Sequence, residues 1–304
     1  MDALGSRIRL PTLRPIALVL APVLAIALLA HASAAHAEPA ETVAWQPEWH
    51  KVGALELVAS SVLAATAIGL VLFVDQHSTG AHGGILFDDG LRSALRADTR
   101  SGRDRARLIG DIGYRTMLVF PLIDLGVSWA IHGDDEVAMQ MLGIDFEVIA
   151  FAGFVGILTD HAVGRARPSV EPCDDDQEYE KFCNAADQFG SFLSGHTIMA
   201  TAHAAVTCAH HFNLPLYGGG AGDVAACAAA SAFALTTGIA RVINDRHWAT
   251  DVTAALLLGG AAGYLWPAWY HYRNRDADDD GGARLMLLPA LEPGRIGAHV
   301  FGTM

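Results

Sequence analysis

Residues 53–74 read GALELVASSVLAATAIGLVLFV, an apolar run in which Glu56 is the one charged side chain. A helix of about 20 apolar residues is long enough to cross ~30 Å of hydrocarbon. Apolar segments of similar length recur further along the chain, at Tyr114–Ile131, Val137–Leu158, Gly195–Phe212, Val224–Ile243 and Val252–Tyr270. We therefore predict an all-α bundle of about six apolar helices, embedded in or associated with a membrane. A soluble, alanine-rich bundle is the alternative.

Composition excludes several classes of protein. Of the 304 residues, 52% are apolar and 17% are charged, and the mean hydropathy is +0.30. Disordered and coiled-coil proteins need more charge than this. The net charge of −13 argues against a nucleic-acid partner, because binding to the phosphate backbone requires a basic surface. The expected partners are a membrane and a lipid phosphate substrate, and no protein partner can be inferred from the sequence.

The amino-terminal segment has the order of a secretory signal peptide. Three arginines precede the apolar run Ile16–Ala30, and Ala35-His36-Ala37 offers a cleavage site. We predict a signal over residues 1–37, with an uncleaved anchor as the alternative. Residues 38–271 then form the helical domain. Residues 272–304 form a polar, irregular carboxyl-terminal tail with two short β-like runs, at Leu285–Leu288 and Ile296–Phe301. We expect residues 76–108 to be an exposed loop or a surface helix.

The four cysteines divide into two kinds. Cys173 and Cys183 flank a polar, acidic loop, and an exported protein could join them in a disulfide. Cys208 and Cys227 lie in apolar helical segments, where we expect buried free thiols.

Three short motifs carry the chemistry, and each lies at the end of an apolar helix. They are Gly164-Arg165-Ala166-Arg167-Pro168, Ser194-Gly195-His196-Thr197, and Arg241-x5-His247-x3-Asp251. In an antiparallel bundle with short connections these ends can lie on one side. The guanidinium groups of Arg167 and Arg241 match the oxygens of a phosphate. Free N–H groups at the start of the helix after Ser194 add a further anion site.

The histidines supply a nucleophile and an acid. His247 and Asp251 are four residues apart, so on one helix they share a face and Asp251 accepts the Nδ1 proton. That hydrogen bond leaves Nε2 of His247 as a nucleophile. His196 is a second imidazole, suited to protonating a leaving alkoxide.

Together these motifs make the chain resemble the type 2 phosphatidic acid phosphatase/haloperoxidase superfamily, most strongly over residues 155–262. The resemblance implies that His247 forms a phosphohistidine, with Asp251 orienting it and His196 as the general acid. It also implies phosphate binding by Arg167, Arg241, Ser194 and the Gly195 amide, without a metal or other cofactor. Three positions depart from the family signature: Asp160 replaces its lysine, Leu193 its second-motif proline and Ala240 its third-motif serine. Arg165 could partly compensate for the missing lysine as a phosphate ligand.

The predicted function is a cell-envelope phosphatase, metal-independent, acting on a phosphate monoester or diphosphate, with a lipid as the expected substrate. We expect the site to face the periplasm, in a protein integral to or associated with the inner membrane. Three alternatives stay open: a soluble periplasmic acid phosphatase of the same family, a vanadium haloperoxidase, and a catalytically impaired membrane-interaction protein.

Overall fold

Helices make up about two thirds of residues 42–273. The computed structural model describes these residues together with 284–292 and 295–303, so the predicted signal peptide lies outside the described residues. The helices are α1 Ala54–Phe73, α2 Asp88–Leu95, α3 Arg100–Val127, α4 Asp135–Val163, α5 Val170–Asp175, α6 Gly195–Asn213, α7 Ala221–Ile243, α8 Ala249–Gly260 and α9 Trp266–Tyr270. Single π-helical turns, Ser128–His132 and Ala261–Leu265, continue α3 and join α8 to α9.

Local sequence signals fix several of the helix ends. The hydroxyl of Thr99 accepts a hydrogen bond from the Gly102 amide at the start of α3, at 3.1 Å. The Asp134 carboxylate does the same for the Val137 amide at the start of α4, at 2.8 Å. Both are N-caps of the usual type. Helix α4 ends at Gly164, which has a φ of +61° and turns the chain toward the first motif.

Helix α6 lies at the centre of the bundle and packs against α3, α4, α7 and α8. Its Ile198, Ala202 and Val206 join a core with residues from α4 and the loop before α6. On its other side, Ala200 and Ala204 pack with Met117 of α3 and with alanines of α7. A helix that is surrounded in this way places its first turn, and therefore the second motif, inside the protein.

Close helix contacts depend on two glycines. A Cβ at Gly113 of α3 would lie 2.5 Å from the Thr237 hydroxyl of α7, and one at Gly263 would lie 2.2 Å from the Ala202 carbonyl of α6. These distances are far below normal contact, so larger residues there would push the helices apart. Small residues thus draw α7 and the α8–α9 segment onto the central helices.

Helices α1 and α4 run parallel. Near their starts, the Val52 amide donates to Oε1 of Gln140 at 2.6 Å. Beyond their far ends, Nε2 of Gln76 donates to Oδ2 of Asp160 at 2.5 Å. The carboxyl ends of both helices therefore lie at the same end of the bundle, which is where the three motifs meet.

Four helical stretches are long and apolar enough to cross a membrane: Ala54–Phe73, Asp135–Val163, Ala221–Ile243 and Ala249–Tyr270. Helices α3 and α6, which hold the other two apolar segments, do not meet this description, because α3 is rich in charges and α6 in histidines. Only 11% of the most apolar stretch of α1 is buried inside the protein. Its apolar surface suits a lipid environment, and the four helices suggest that the protein is membrane-associated.

The remaining segments correct several expectations. Residues 76–108 are not simply exposed, since Asp88 and Arg103 are buried in ion pairs and hydrogen bonds.

Cys173 and Cys183 are joined, but Cys208 and Cys227 also form a disulfide, so the expectation of free thiols there is wrong. The hairpin between α6 and α7 brings that second pair together. In the tail, the two β-like runs lie within an antiparallel pair of strands, β1 Arg284–Glu292 and β2 Arg295–Thr303.

Candidate active site

A pocket of about 340 Å³ opens where the three motifs meet. Its polar wall is formed by Arg167, His196, His247 and Asp160. Its other walls are small or apolar residues of α4, α6 and the loop before α6, among them Ala152, Gly153, Gly156, Ile157, Leu193, Ile198 and Met199. A phosphate at the polar wall would thus have an apolar groove beside it.

His247 is held in one tautomer. Its Nδ1 lies 2.7 Å from the backbone carbonyl of Ser191, which can only accept a hydrogen bond. Its Nε2 lies 2.9 Å from Nη1 of Arg167, which can only donate one. Nδ1 therefore carries the proton and Nε2 presents its lone pair to the pocket. Burial, together with the positive charge of Arg167, lowers the pKa of His247 well below its usual value, so the ring is neutral at physiological pH.

The expected contact between Asp251 and Nδ1 of His247 is wrong. Helix α8 begins at Ala249, so His247 precedes the helix and the four-residue spacing does not put the two side chains on one face. Asp251 turns back instead to accept from the Trp248 amide at 2.9 Å and from the Ser191 hydroxyl at 2.6 Å. Asp251 therefore acts on His247 only through Ser191. Asp251 accepts from the Ser191 hydroxyl, and the Ser191 carbonyl orients the imidazole.

Arg167 is placed by groups outside the motifs. Its Nε donates to the Asp187 carbonyl and its Nη2 to the Asp187 carboxylate, both at 2.8 Å. The same carboxylate accepts from Nη2 of Arg246 at 2.7 Å. Burial opposes the ionisation of Asp187, but the two arginines outweigh it and lower its pKa. Burial and the neighbouring Arg246 lower the pKa of Arg167 to about 10, which leaves it charged at neutral pH.

His196 lies at the pocket wall, with its ring 4.6 Å from that of Tyr114. Its Nε2 is 3.5 Å from Oδ1 of Asp111, which also binds Arg241. Burial and the charge of Arg241 lower the pKa of His196 to about 4. Arg241 itself is not among the residues lining the pocket, but its buried Nε has no hydrogen-bond partner within the described residues. The expected phosphate contact of Arg241 is therefore not formed at the pocket surface, and Arg241 instead pairs with Asp111.

The second motif departs in detail from expectation. Ser194 stands at the N-cap position of α6, but its side chain makes no capping bond and its fully buried hydroxyl pairs with that of Thr197 at 2.8 Å. Gly195 lines the pocket and is exposed, and a Cβ there would meet no atom within 4 Å. The structure thus brings the Gly195 backbone to the pocket and keeps the Ser194 side chain out of it.

Arg165 is not a phosphate ligand in this arrangement, and that expectation is corrected. Its Nη1 donates to Oδ1 of Asp251 at 2.5 Å and its Nη2 to Oδ2 of Asp88 at 2.7 Å. Asp88 also accepts from the amide and hydroxyl of Thr250. Burial opposes the ionisation of Asp88, but these hydrogen bonds and that from the Ile85 amide lower its pKa. We call Asp88, Arg165, Ser191, Thr250 and Asp251 the support cluster, and Arg167, His196 and His247 the reaction cluster.

Asp160 lies on the pocket wall, where the family signature has lysine. Gln76 donates to its Oδ2, and Arg165 does not contact it. Gly190 sits directly against this carboxylate, since a Cβ there would be 2.1 Å from Oδ1. The loop before α6 therefore closes over Asp160, which stays near the polar wall without joining either cluster.

Sequence reasoning missed Asp187, Arg246, Ser191 and Asp88. Asp187 lies in the acidic loop, and Asp88 belongs to a segment far from every motif, so spacing gives no signal for either. Arg246 directly precedes His247, so its position next to the predicted nucleophile could have identified it as a site residue. Among the described residues, no group of three or more His, Cys, Asp or Glu side chains is arranged to hold a metal ion.

Comparison with known proteins gives one family match. The model of the PAP2 superfamily matches residues 144–275, which contain both clusters except Asp88. No curated protein and no solved structure matches the chain. The match supports a phosphatase-type activity in general terms. Residues 144–275 of this chain are therefore similar to the PAP2 superfamily, which supports the resemblance seen in the three motifs.

Proposed function

We propose that this protein is a cell-envelope phosphatase that removes a phosphate from a lipid through a phosphohistidine on His247. One observation carries the proposal. The unprotonated Nε2 of His247 and the guanidinium of Arg167 meet at 2.9 Å on the polar wall of a pocket whose remaining walls are largely apolar. A nucleophile, a phosphate ligand and a path for a hydrocarbon chain therefore occupy one cavity.

In the first step, Nε2 of His247 attacks phosphorus and a P–N bond forms. The bond from phosphorus to the ester oxygen breaks, and its electron pair stays on that oxygen. The phosphate replaces Nε2 as the acceptor for Nη1 of Arg167, and the Gly195 amide supplies a further donor. Donors that are already in place stabilise the charge that develops on the phosphoryl oxygens.

His196 handles the protons. In its protonated form it donates to the leaving oxygen, which departs as an alcohol. In the second step the neutral His196 takes a proton from water while the water oxygen attacks phosphorus. The P–N bond breaks, its electron pair returns to Nε2, and inorganic phosphate leaves. Free His196 has a pKa of about 4, and the negative charge of a bound phosphate favours its protonation.

The apolar walls support a lipid as the substrate. They come from α4, one of the four membrane-capable stretches, and from the first turns of α6. Gly153 and Gly156 keep the groove open, and a Cβ at Gly153 would sit 3.8 Å from the Met199 sulfur, an ordinary contact. A small side chain is therefore tolerated at Gly153, whereas a large one would fill the groove.

The substrate class is tested with Gly153→Phe. We expect kcat/KM for a long-chain phosphatidic acid to fall at least about tenfold, with less than a threefold change for p-nitrophenyl phosphate, which has no chain to place. Gly69→Phe is the matched control, because Gly69 lies in membrane-capable α1 with open space around its Cα. An equal fall for both substrates would contradict the lipid path and favour a soluble phosphate.

We further propose that the site faces the periplasm. Ser93 in α2 is exposed at the end of the bundle that holds the site, and Asp135 is exposed at the other end. A membrane-impermeant thiol reagent added to intact cells should label Ser93→Cys and leave Asp135→Cys unlabelled if the bundle spans the membrane. Labelling of Asp135→Cys alone would place the site in the cytoplasm, and labelling of both would indicate a bundle that does not span.

A further inference from the structure

A second cavity lies on a different face of α4 from the catalytic pocket. Its volume is about 560 Å³, and it is enclosed by α1, α4 and the segment from α8 to α9. Glu147, Val148 and Phe151 of α4 line this cavity, whereas the α4 residues that line the catalytic pocket begin at Ala152. No residue lines both cavities. The second cavity therefore belongs to a different site.

The walls of this cavity are apolar, and the cavity opens to the outer surface of the bundle. Leu63, Phe151 and Leu258 line it, and the last two are 44% and 41% exposed. They lie on α1, α4 and α8, all membrane-capable stretches. An alkyl chain from a surrounding bilayer could enter from the side without crossing a polar surface.

The polar end of the cavity is acidic. Glu56 and Glu147 both line it, and none of its lining residues in the described part of the chain is a lysine or an arginine. Glu56 accepts hydrogen bonds from the His50 ring and from the Tyr270 hydroxyl. Oε2 of Glu147 accepts from Trp266 and His271, each at 3.2 Å.

Oε1 of Glu147 is the unusual atom. The residue is only 7% exposed, and this oxygen is buried with no hydrogen-bond partner among the described residues. A buried carboxylate oxygen without a donor is costly, so such atoms are almost always satisfied. The charge and the missing donor together favour a ligand with a cationic N–H group at this point.

Aromatic rings complete the recognition of a cation. The rings of Trp266 and Tyr270 stack at 4.6 Å and line the same end of the cavity. A cation near the face of such a ring is attracted by its quadrupole. Carboxylates, aromatic faces and an apolar channel are the complement of an amphiphile with an ammonium head and an alkyl chain.

We propose that this cavity binds an amphiphile of that kind, with its ammonium group donating to Oε1 of Glu147 and its chain between α1, α4 and α8. The proposal does not depend on the phosphatase reaction. Its probe is dodecylamine, titrated by calorimetry into the full chain in a neutral detergent at pH 7. Dodecanol and dodecyl sulfate serve as probes of the same chain length without the positive charge.

We expect saturable binding of one dodecylamine per chain, at least about tenfold tighter than either control probe. Glu147→Gln, which removes the charge, and Ala59→Phe, which fills the cavity, should each weaken it at least tenfold. Glu136→Gln on α4 and Val58→Phe on α1 are matched controls outside the cavity and should bind normally.

Equal affinity for dodecylamine and dodecanol, or unchanged affinity in Ala59→Phe, would overturn the proposal. If Glu147→Gln fails to fold, Ala59→Phe decides alone, since it leaves the carboxylate and its partners in place. Tighter binding of dodecyl sulfate than of the amine would also overturn it, because the site would then prefer an anion.

Discussion

The support cluster and the reaction cluster lie side by side but are built differently. In the support cluster, Arg165 forms ion pairs with both Asp88 and Asp251, and none of the three lines the pocket. In the reaction cluster, His247 and His196 face the pocket with lowered pKa values, and Arg167 keeps a donor beside the nucleophile. Arg165 and Arg167 are two residues apart and divide between these roles. One helix-end motif thus supplies both the framework and the chemistry.

The largest expected effect is on His247. His247→Ala removes the nucleophile, so we expect phosphatase activity to fall by more than about a thousandfold. The support cluster remains intact, and the melting temperature should change by only a few degrees. Rates with p-nitrophenyl phosphate and thermal unfolding check the two halves of the prediction. If His247→Ala kept a tenth of the wild-type activity, His247 would not be the nucleophile.

The second prediction concerns the pH dependence that His196 imposes. Its protonated fraction in the free enzyme falls about tenfold for each pH unit above its pKa of about 4, while His247 stays neutral. An alkyl phosphate needs the proton at its leaving oxygen, whereas p-nitrophenolate leaves without one. The kcat/KM for the alkyl phosphate divided by the kcat/KM for p-nitrophenyl phosphate should therefore fall as pH rises from 5 to 8.

His196→Gln is the matched variant for this profile. It should slow the alkyl phosphate far more than p-nitrophenyl phosphate, and the ratio should no longer depend on pH. Each rate is first corrected for the ionisation of its own substrate, because an aryl phosphate loses its second proton at a lower pH than an alkyl phosphate. A wild-type ratio that is flat with pH would mean that His196 does not protonate the leaving group.

The third prediction breaks the support cluster. Asp251→Ala leaves the buried Ser191 hydroxyl and Trp248 amide without their acceptor, and each unsatisfied buried donor costs about 1–3 kcal/mol. For a domain of this size we expect the melting temperature to fall on the order of 10 °C. Asp251→Asn should lose less stability than Asp251→Ala. It should also lose less activity than His247→Ala. A stable Asp251→Ala protein with no activity would place Asp251 in the reaction cluster.

Much of this arrangement follows from the sequence, and the failures have physical causes. Apolar segment lengths predict the bundle, and the motifs at helix ends predict that Arg167, His196 and His247 meet. The predicted role of Asp251 was wrong because helix α8 starts two residues after His247. Helical spacing does not apply across that boundary.

Long-range partners are a different kind of failure. Asp88 meets Thr250 across 162 positions of sequence, and Arg241 meets Asp111 across 130. Such pairs depend on how whole helices pack, which single-sequence patterns do not record. The second disulfide was missed for the same reason, since only the α6–α7 hairpin brings Cys208 to Cys227.

The smallest expected effect is at Asp160, which lies on the pocket wall outside both clusters. Its carboxylate repels a bound phosphate, so Asp160→Asn should leave kcat/KM unchanged or raise it by up to about tenfold. The asparagine can still accept from Gln76 and fits beneath Gly190. A tenfold loss in a folded variant would instead show that the carboxylate has a positive role in binding or positioning.

The covalent intermediate on His247 can be trapped by rapid quenching with ³²P-labelled substrate. The wild-type protein, with chelator present throughout, should carry label that is stable to alkali and released by acid, as expected of a phosphoramidate. His247→Ala should carry none, and His196→Gln should accumulate label if water attack slows. Turnover without labelled protein, or a rate that chelation abolishes and a divalent metal restores, would contradict the account.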